Sequence, residues 1–158
     1  MTDPPSLHCE LRRAIRSEAE TLTELARVSK ASWGYPASWM EAWTPQLTIS
    51  PEYIELHRVT VACVARDIVG MCAIEDHSDH WMLEHVWVSP RAHRRGVGSL
   101  LVLDALDTTH RRSAAPVRLL ADSFAQDFYA RLGARVTGWI AAPMDGDPGR
   151  RLVRMEFS

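Results

Sequence analysis

The sequence predicts an α+β domain of the three-layer α/β type, in which helices flank a mixed, mainly antiparallel central sheet. Two apolar, β-rich runs, 59–65 and 68–74, are joined by Arg66-Asp67, an arrangement typical of a β-hairpin. An alternating run over 81–88 follows a polar turn and completes a three-stranded meander. Beyond Gly98 the apolar spacing changes from two residues to nearly four, which indicates a helix.

Capping residues mark the predicted helices of the first third. Ser17 followed three residues later by Glu20 forms a capping box, and the helix that it opens should end near 33–36. A second short helical stretch covers 38–43. A third begins at Ser50-Pro51, with proline at the first helical position.

The remaining elements complete the sheet and its cover. They are an edge strand within 9–15, a helix over 98–112, a short buried strand at 117–121, a helix capped by Ser123 and ended by Gly133, and two last strands at 134–142 and 152–157. No linker or repeat divides the chain, so residues 5–158 are predicted to form one domain.

Composition narrows the class of protein. The 158 residues are 46% hydrophobic and 24% charged, with a formal charge of −2, which is typical of a globular protein and favours neither nucleic acid nor membrane partners. No apolar run approaches the roughly 20 residues of a membrane span. Three cysteines without metal-ligand spacing predict free thiols, so we expect a cytoplasmic protein.

The segment 86–101 carries the clearest chemical pattern. Ser89-Pro90 ends the strand, and a loop with two glycines and three arginines precedes the helix. Glycines allow consecutive N–H groups to converge on one anion, and the helix N-terminus and the arginines add positive charge. The alternative is a tight turn with solvated arginines. The loop lacks the Gly-Lys-Ser/Thr ending of a Walker loop and the third glycine of a dinucleotide fingerprint.

Two motifs resemble one known family. Pro-Arg-Ala-His-Arg-Arg-Gly-Val-Gly at 90–98 is similar to the acetyl-CoA pyrophosphate loop, Arg/Gln-x-x-Gly-x-Gly/Ala, of the GCN5-related N-acetyltransferases (GNAT), with His93 at the first position. Phe-Tyr-Ala-Arg-Leu-Gly-Ala at 128–134 resembles the family's Tyr-x-x-Leu-Gly-Phe signature. The resemblance covers roughly 10–158 and implies an acetyl-CoA N-acyltransferase-like fold with acetyl-CoA as cosubstrate and no metal.

The resemblance also implies which residues hold the cosubstrate. The backbone of 86–88 should meet the pantetheine arm, with an oxyanion donor near Val88, and 96–99 should cradle the pyrophosphate. Asp122 stands where the family often has an asparagine that touches CoA. The full predicted set is Val86, Trp87, Val88, His93, Arg94, Arg95, Gly96, Val97, Gly98, Ser99 and Asp122.

Three residues are candidates for proton transfer. Period-two alternation places Glu84 on the same face as Met82, Val86 and Val88, where apolar neighbours would raise its pKa toward that of a general base. The alternative is an edge carboxylate paired with an arginine. His85 is the rival base, although it should face the helices on the other side of the sheet. The motif match implies that Tyr129 protonates the departing thiolate.

Two further clusters have structural alternatives. Trp33, Tyr35, Trp39 and Trp43 lie in the region that lines the acceptor site in this family, but helical spacing favours core packing. The segment 76–80, Asp-His-Ser-Asp-His, contains metal-ligand residue types. It is predicted to be a hydrophilic turn, because aspartate and serine are common in turns and the sequence identifies no third fixed protein ligand, which zinc needs.

The sequence therefore predicts an N-acetyltransferase that acetylates a primary amine by direct attack in a ternary complex, with a small-molecule amine favoured. Alternatives are a protein or peptide N-acetyltransferase, and a non-catalytic acyl-CoA-binding regulatory domain. A nucleic-acid contact through the arginine loop is disfavoured by the net charge. Dimers are common in the family, so a homodimer stays open.

Overall fold

A seven-stranded sheet in the order β1-β2-β3-β4-β5-β7-β6 runs through this computed structural model, which describes residues 8–158. The strands are β1 (Glu10–Arg13), β2 (Arg58–Val64), β3 (Asp67–Asp76), β4 (Trp81–Val88), β5 (Val117–Ala121), β6 (Arg135–Ala141) and β7 (Arg151–Phe157). The helices are α1 (Ala19–Ala31), α2 (Ala37–Ala42), α3 (Thr44–Leu47), α4 (Pro51–Leu56), α5 (Val97–Arg112) and α6 (Gln126–Arg131). The predicted domain boundary at residue 5 lies outside the described residues.

The strand directions confirm the predicted mixed sheet. Strands β1 to β4 pair antiparallel in sequence order, β4 and β5 pair parallel, and β7 pairs antiparallel with both β5 and β6. The parallel pair requires a crossover, which α5 provides. No helix among residues 8–158 has the length and apolar character needed to cross a bilayer.

The sheet buries a different set of side chains on each face. One face packs against α5 through Leu101 and Val102, both fully buried. The opposite face packs against α1 and α4 through Leu22 and Ile54. Burial of these apolar side chains on both faces is the main stabilising contribution to such a layered fold.

The predicted helix caps at Ser17 and Ser123 are both wrong. The N–H of Ile15 donates to Glu18 at 2.9 Å, and a 3₁₀ turn at Arg16–Glu18 leads into α1. Neither Ser17 nor Glu20 forms the predicted capping box. Glu18 takes the place of Glu20, and a 2.7 Å hydrogen bond from the Arg12 guanidinium fixes the Glu18 carboxylate there. Ser123 begins a 3₁₀ turn and does not cap α6.

Helix α4 follows its prediction closely. The Ser50 side chain accepts a 3.0 Å hydrogen bond from the N–H of Tyr53, and Pro51 occupies the first helical position. Gly133 ends the α6 segment with a φ of 110°, which glycine adopts readily.

A β-bulge changes which face of the sheet the β4 side chains occupy. Ala73 pairs with His85 and Ile74 with Leu83, so Glu84 is an extra residue between them. Met82 pairs with Glu75, whose carboxylate contacts α4, whereas Val86 packs in the core beneath α5. The predicted common face of Met82, Glu84, Val86 and Val88 is therefore wrong, because a bulge interrupts the alternation of period two.

Candidate active site

Strands β4 and β5 separate soon after they meet. Their parallel pairing is limited to Trp81 with Val117 and Met82 with Arg118. Beyond Met82, the edge of β4 that faces β5 has no strand partner among residues 8–158, and this edge includes the predicted pantetheine-binding residues 86–88. Unpaired backbone N–H and C=O groups can add an extended amide-bearing ligand as a strand would. The opening between β4 and β5 is a candidate binding site for such a ligand.

The loop 89–96 lies at the carboxyl end of β4. Arg94 and Gly96 both have positive φ angles, 63° and 79°, and α5 begins immediately after them at Val97. The imidazole Nε2 of His93 donates to the carbonyl of Val88 at 3.0 Å, since a carbonyl only accepts. The first N–H groups of α5 lack partners within the helix and carry the positive end of its dipole. Exposed Arg94 and Arg95 add charge suited to an anion.

Gly98 leaves the start of α5 without a side chain where three elements meet. A Cβ at this position would lie 3.3 Å from the Phe128 ring of α6 and 3.6 Å from Val88 of β4. The first turn of α5 therefore packs closely on β4 and α6. Glycine permits this packing, which places the first N–H groups of α5 next to the end of β4.

Tyr129 belongs to α6, beside the start of α5, and is half-buried. Its ring packs edge to face on Phe128 with centroids 4.9 Å apart. Burial, together with the charges of Cys72 and Asp122, raises the pKa of the Tyr129 phenol. The group therefore remains protonated at neutral pH and can donate a proton.

Glu84 lies at the bulge, accessible to solvent. Partial desolvation, then the negative charge of Glu75, raises the pKa of Glu84. Burial opposes the ionisation of Glu75, but hydrogen bonds from Tyr53 at 2.7 Å and His77 at 3.0 Å outweigh it and lower the pKa of Glu75. A carboxylate whose pKa is raised toward neutrality is suited to accept a proton.

His85 is less suited to the role of base. Its side chain is buried, and this burial lowers the pKa of His85 to about 4, so the imidazole is neutral. Its Nδ1 accepts a 3.0 Å hydrogen bond from the indole N–H of Trp87. The nitrogen that would take a proton is thus already engaged. The prediction that His85 faces packed helices agrees with its contact with Tyr53 of α4.

Three charged side chains meet beside the end of β5. Asp122 pairs with Lys30 of α1, at 3.3 Å, and with Arg150, which immediately precedes β7. Each of the three side chains is less than a fifth exposed. The carboxylate predicted to touch CoA is thus held by two cations, and its contact with the cosubstrate stays a prediction.

The sequence is similar to one family over half its length. The profile described as "Acetyltransferase (GNAT) domain" matches residues 55–133, which include the predicted loop and both candidate catalytic residues. The chain belongs to the GNAT acetyltransferase family. Membership makes it an acetyltransferase that uses acetyl-CoA, as the resemblance implied.

Solved structures share the GNAT fold at low sequence identity. PaiA N-acetyltransferase from Thermoplasma acidophilum, in complex with coenzyme A, is 20% identical with a TM-score of 0.72, over 94% of this chain and 97% of that one. The ribosomal-protein-S18-alanine N-acetyltransferase of Escherichia coli is 14% identical with a TM-score of 0.73, over 94% and 92%. YncA of Salmonella typhimurium, solved with acetyl-CoA, is 16% identical with a TM-score of 0.70, over 96% and 94%. A search of curated proteins found no match.

The aromatic cluster predicted for the GNAT acceptor region is not core. Trp33 is 55% exposed, and the other three rings are half-buried. Tyr35 packs on Trp43 with centroids 4.9 Å apart, and the Trp39 indole donates to the Asp145 carbonyl at 2.8 Å. The favoured core interpretation is therefore wrong, and the alternative of an aromatic lining for the acceptor site stays a prediction.

Two residues of this region were missed in the sequence. Lys30 and Arg150 lie far from both motifs, and only the folded chain brings them to Asp122. The sequence holds a clue to Lys30, because it is the only lysine among 18 lysine and arginine residues.

The turn at 76–80 forms no cluster of three metal-ligating side chains, nor does any other part of residues 8–158.

Proposed function

We propose that this enzyme transfers the acetyl group from acetyl-CoA to a primary amine, by direct attack within a ternary complex, and that the acceptor is a small molecule. The observation that carries this proposal is the separation of β4 and β5 beside the N-terminus of α5, with Glu84 and Tyr129 on the elements around it. Acetyl-CoA supplies the activated acyl group, and the protein binds it, orients it and moves protons.

The residues present fit acetyl-CoA. The N–H groups of 96–99 and the guanidinium groups of Arg94 and Arg95 would bind the pyrophosphate, since they lie together at the start of α5. The backbone of 86–88 would bind the amides of the pantetheine arm. A backbone N–H near Val88 would stabilise the oxyanion, and His93 orients that segment through the Val88 carbonyl.

Two side chains move the protons in this proposal. Glu84 accepts a proton from the incoming ammonium, directly or through water, which frees the nitrogen lone pair. Tyr129 donates its proton to the departing sulfur. The raised pKa values of both groups suit these opposite roles, because a carboxylate becomes a better base while a phenol stays protonated.

Calorimetry with acetyl-CoA, desulfo-CoA and ATP tests the binding half of the proposal. We expect binding selective for the CoA moiety that is lost in Gly98→Trp, whose side chain would displace Phe128 or Val88 and the start of α5 packed on them. Gly138→Trp is the matched control, because a Cβ there makes only an ordinary 3.8 Å contact with Arg154. Equal binding by Gly98→Trp, with unchanged thermal unfolding, would move the acetyl-CoA site elsewhere.

A thiol-release assay over a panel of amines tests the transfer half. The panel contains small aliphatic and aromatic amines, amino acids and peptides with free N-termini or lysines. Turnover of small amines but not peptides is the expected result. Turnover restricted to peptides would make the acceptor a protein, and tight acetyl-CoA binding without turnover of any acceptor would favour a regulatory acyl-CoA-binding domain.

A further inference from the structure

Lys30 is unusual in both chemistry and position. Of the 18 lysine and arginine residues in the chain, Lys30 is the only lysine, and all the others are arginine. Arginine would serve an ion pair with Asp122 at least as well, because its planar guanidinium binds a carboxylate through two hydrogen bonds. A lysine amine differs from a guanidinium in that it can lose its proton and act as a nucleophile.

The surroundings of the Lys30 amine form an ammonium-binding cage. Its Nζ lies 4.1 Å from the ring centroid of Trp43, 5.4 Å from that of Tyr35 and 5.8 Å from that of Trp87, and 3.3 Å from Asp122 Oδ2. Aromatic faces and a carboxylate are the groups that recognise a cationic amine. The chain's own lysine fills this cage, with its side chain only 14% exposed.

The cage lies beside the opening between β4 and β5. Trp87 belongs to the part of β4 that has no partner on that side, and Asp122 directly follows the last residue of β5. The Lys30 amine thus lies near a residue from each of the two strands that separate. It is the one side-chain amine of the chain, and it occupies the side of the sheet on which α1 packs.

The protonation of Lys30 is consistent with a nucleophilic role. Burial lowers the pKa of the amine, the charge of Arg150 lowers it further, and the charge of Asp122 opposes both effects only in part. A larger fraction of this amine is therefore neutral at a given pH than of an exposed lysine.

We propose that Lys30 is an acetylation site of the enzyme itself. The Nζ lone pair attacks the thioester carbonyl carbon of acetyl-CoA bound between β4 and β5, a C–N bond forms and the C–S bond breaks. The nitrogen loses its second proton as the amide forms, and the sulfur takes up this proton and leaves as the CoA thiol. Asp122, at 3.3 Å, accepts the proton that the ammonium loses before attack. This inference rests on the proposed binding of acetyl-CoA.

Acetylation changes the charge of the cluster. The amide nitrogen of acetyl-lysine carries no charge, so Asp122 would face Arg150 alone instead of two cations. Loss of the Lys30 charge would also weaken its attraction to the Trp43 ring. A cationic amine acceptor would then meet less repulsion near this cage, which couples self-acetylation to the choice of acceptor.

The experiment incubates the purified full chain with acetyl-CoA and follows intact mass and peptide maps with time. We expect one added acetyl group on Lys30, with a first-order rate that does not depend on protein concentration. Peptide mapping separates Lys30 from the N-terminal amine. Lys30→Arg keeps the cation and should remain unmodified at this position, whereas Gly98→Trp should slow acetylation of Lys30 at least about tenfold, because oriented binding supplies the rate.

Other outcomes would overturn the inference. Acetylation at the same rate in Gly98→Trp or in urea-unfolded protein would mean uncatalysed chemistry. An unmodified Lys30 in protein that binds acetyl-CoA and acetylates a free amine would refute self-acetylation but leave the proposed function standing. If calorimetry detects no acetyl-CoA binding, the proposed function fails, and self-acetylation fails with it.

Discussion

The phenol of Tyr53 donates a 2.7 Å hydrogen bond to the carboxylate of Glu75. This bond joins α4 to β3 and, with the contact from His77, keeps Glu75 ionised. Partial burial raises the pKa of Glu84 at the bulge of the next strand, and the charge of Glu75 raises it further. A residue outside both sequence motifs therefore tunes the candidate base.

Glu75→Gln should shift the pH dependence of acetyl transfer. A general base works only when ionised, so kcat/KM rises with pH through the pKa of Glu84. Removal of the Glu75 charge lowers the pKa of Glu84, and the acid limb of the profile should move to lower pH. Asp107→Asn, which removes an exposed carboxylate paired with Arg111 on α5, should leave the limb in place. An unmoved limb in Glu75→Gln would separate Glu75 from catalysis.

Glu84→Gln should lower kcat by about 10²- to 10⁴-fold, the usual contribution of a general base. The acid limb should disappear, because glutamine does not ionise. The affinity for acetyl-CoA, measured by calorimetry, should stay near that of the wild type. If the variant retains the wild-type profile, a different group accepts the proton.

The main elements were predictable from the sequence because their patterns are local. Proline at the first turn of α4, the hairpin between β2 and β3 and the change of period at Gly98 each depend on neighbouring residues. The bulge at Glu84 was not predictable, because it arises from the pairing of β4 with β3, which the residue pattern of β4 alone does not record. In the cluster of Lys30, Asp122 and Arg150, Lys30 contacts Asp122 across 92 positions of sequence, a separation that no short pattern records.

Tyr129→Phe should lower kcat while acetyl-CoA affinity and fold are retained. Phenylalanine keeps the ring and its packing on Phe128, and removes only the hydroxyl. A more acidic thiol leaves readily as a thiolate and needs no proton from Tyr129. The loss of rate in Tyr129→Phe should therefore be smaller for acyl donors with a more acidic leaving thiol. A thioester series with leaving thiols of different pKa measures this slope. A loss of rate that is equal for every donor would assign Tyr129 to packing.

His93→Ala should weaken acetyl-CoA binding several-fold, because the Val88 carbonyl loses the donor that fixes the loop on β4. His93→Gln should restore most of the affinity, since its amide N–H can donate to the same carbonyl and the family has Arg or Gln at this position. Calorimetry of the two variants provides the comparison. Equal losses in both would show that the imidazole ring, stacked on Trp33, matters more than its hydrogen bond.

Asp122→Asn should destabilise the fold by about 2 kcal/mol, because it leaves the cations of Lys30 and Arg150 facing each other without a carboxylate. The expected loss of stability is smaller than for a fully buried ion pair, since all three side chains retain some exposure to solvent. Asp107→Asn removes the exposed ion pair with Arg111 and should cost less than about 0.5 kcal/mol. Urea unfolding of both variants measures the difference. Equal losses would mean that Asp122 contributes no more than a surface carboxylate, and its place beside Lys30 would then carry no stabilising role.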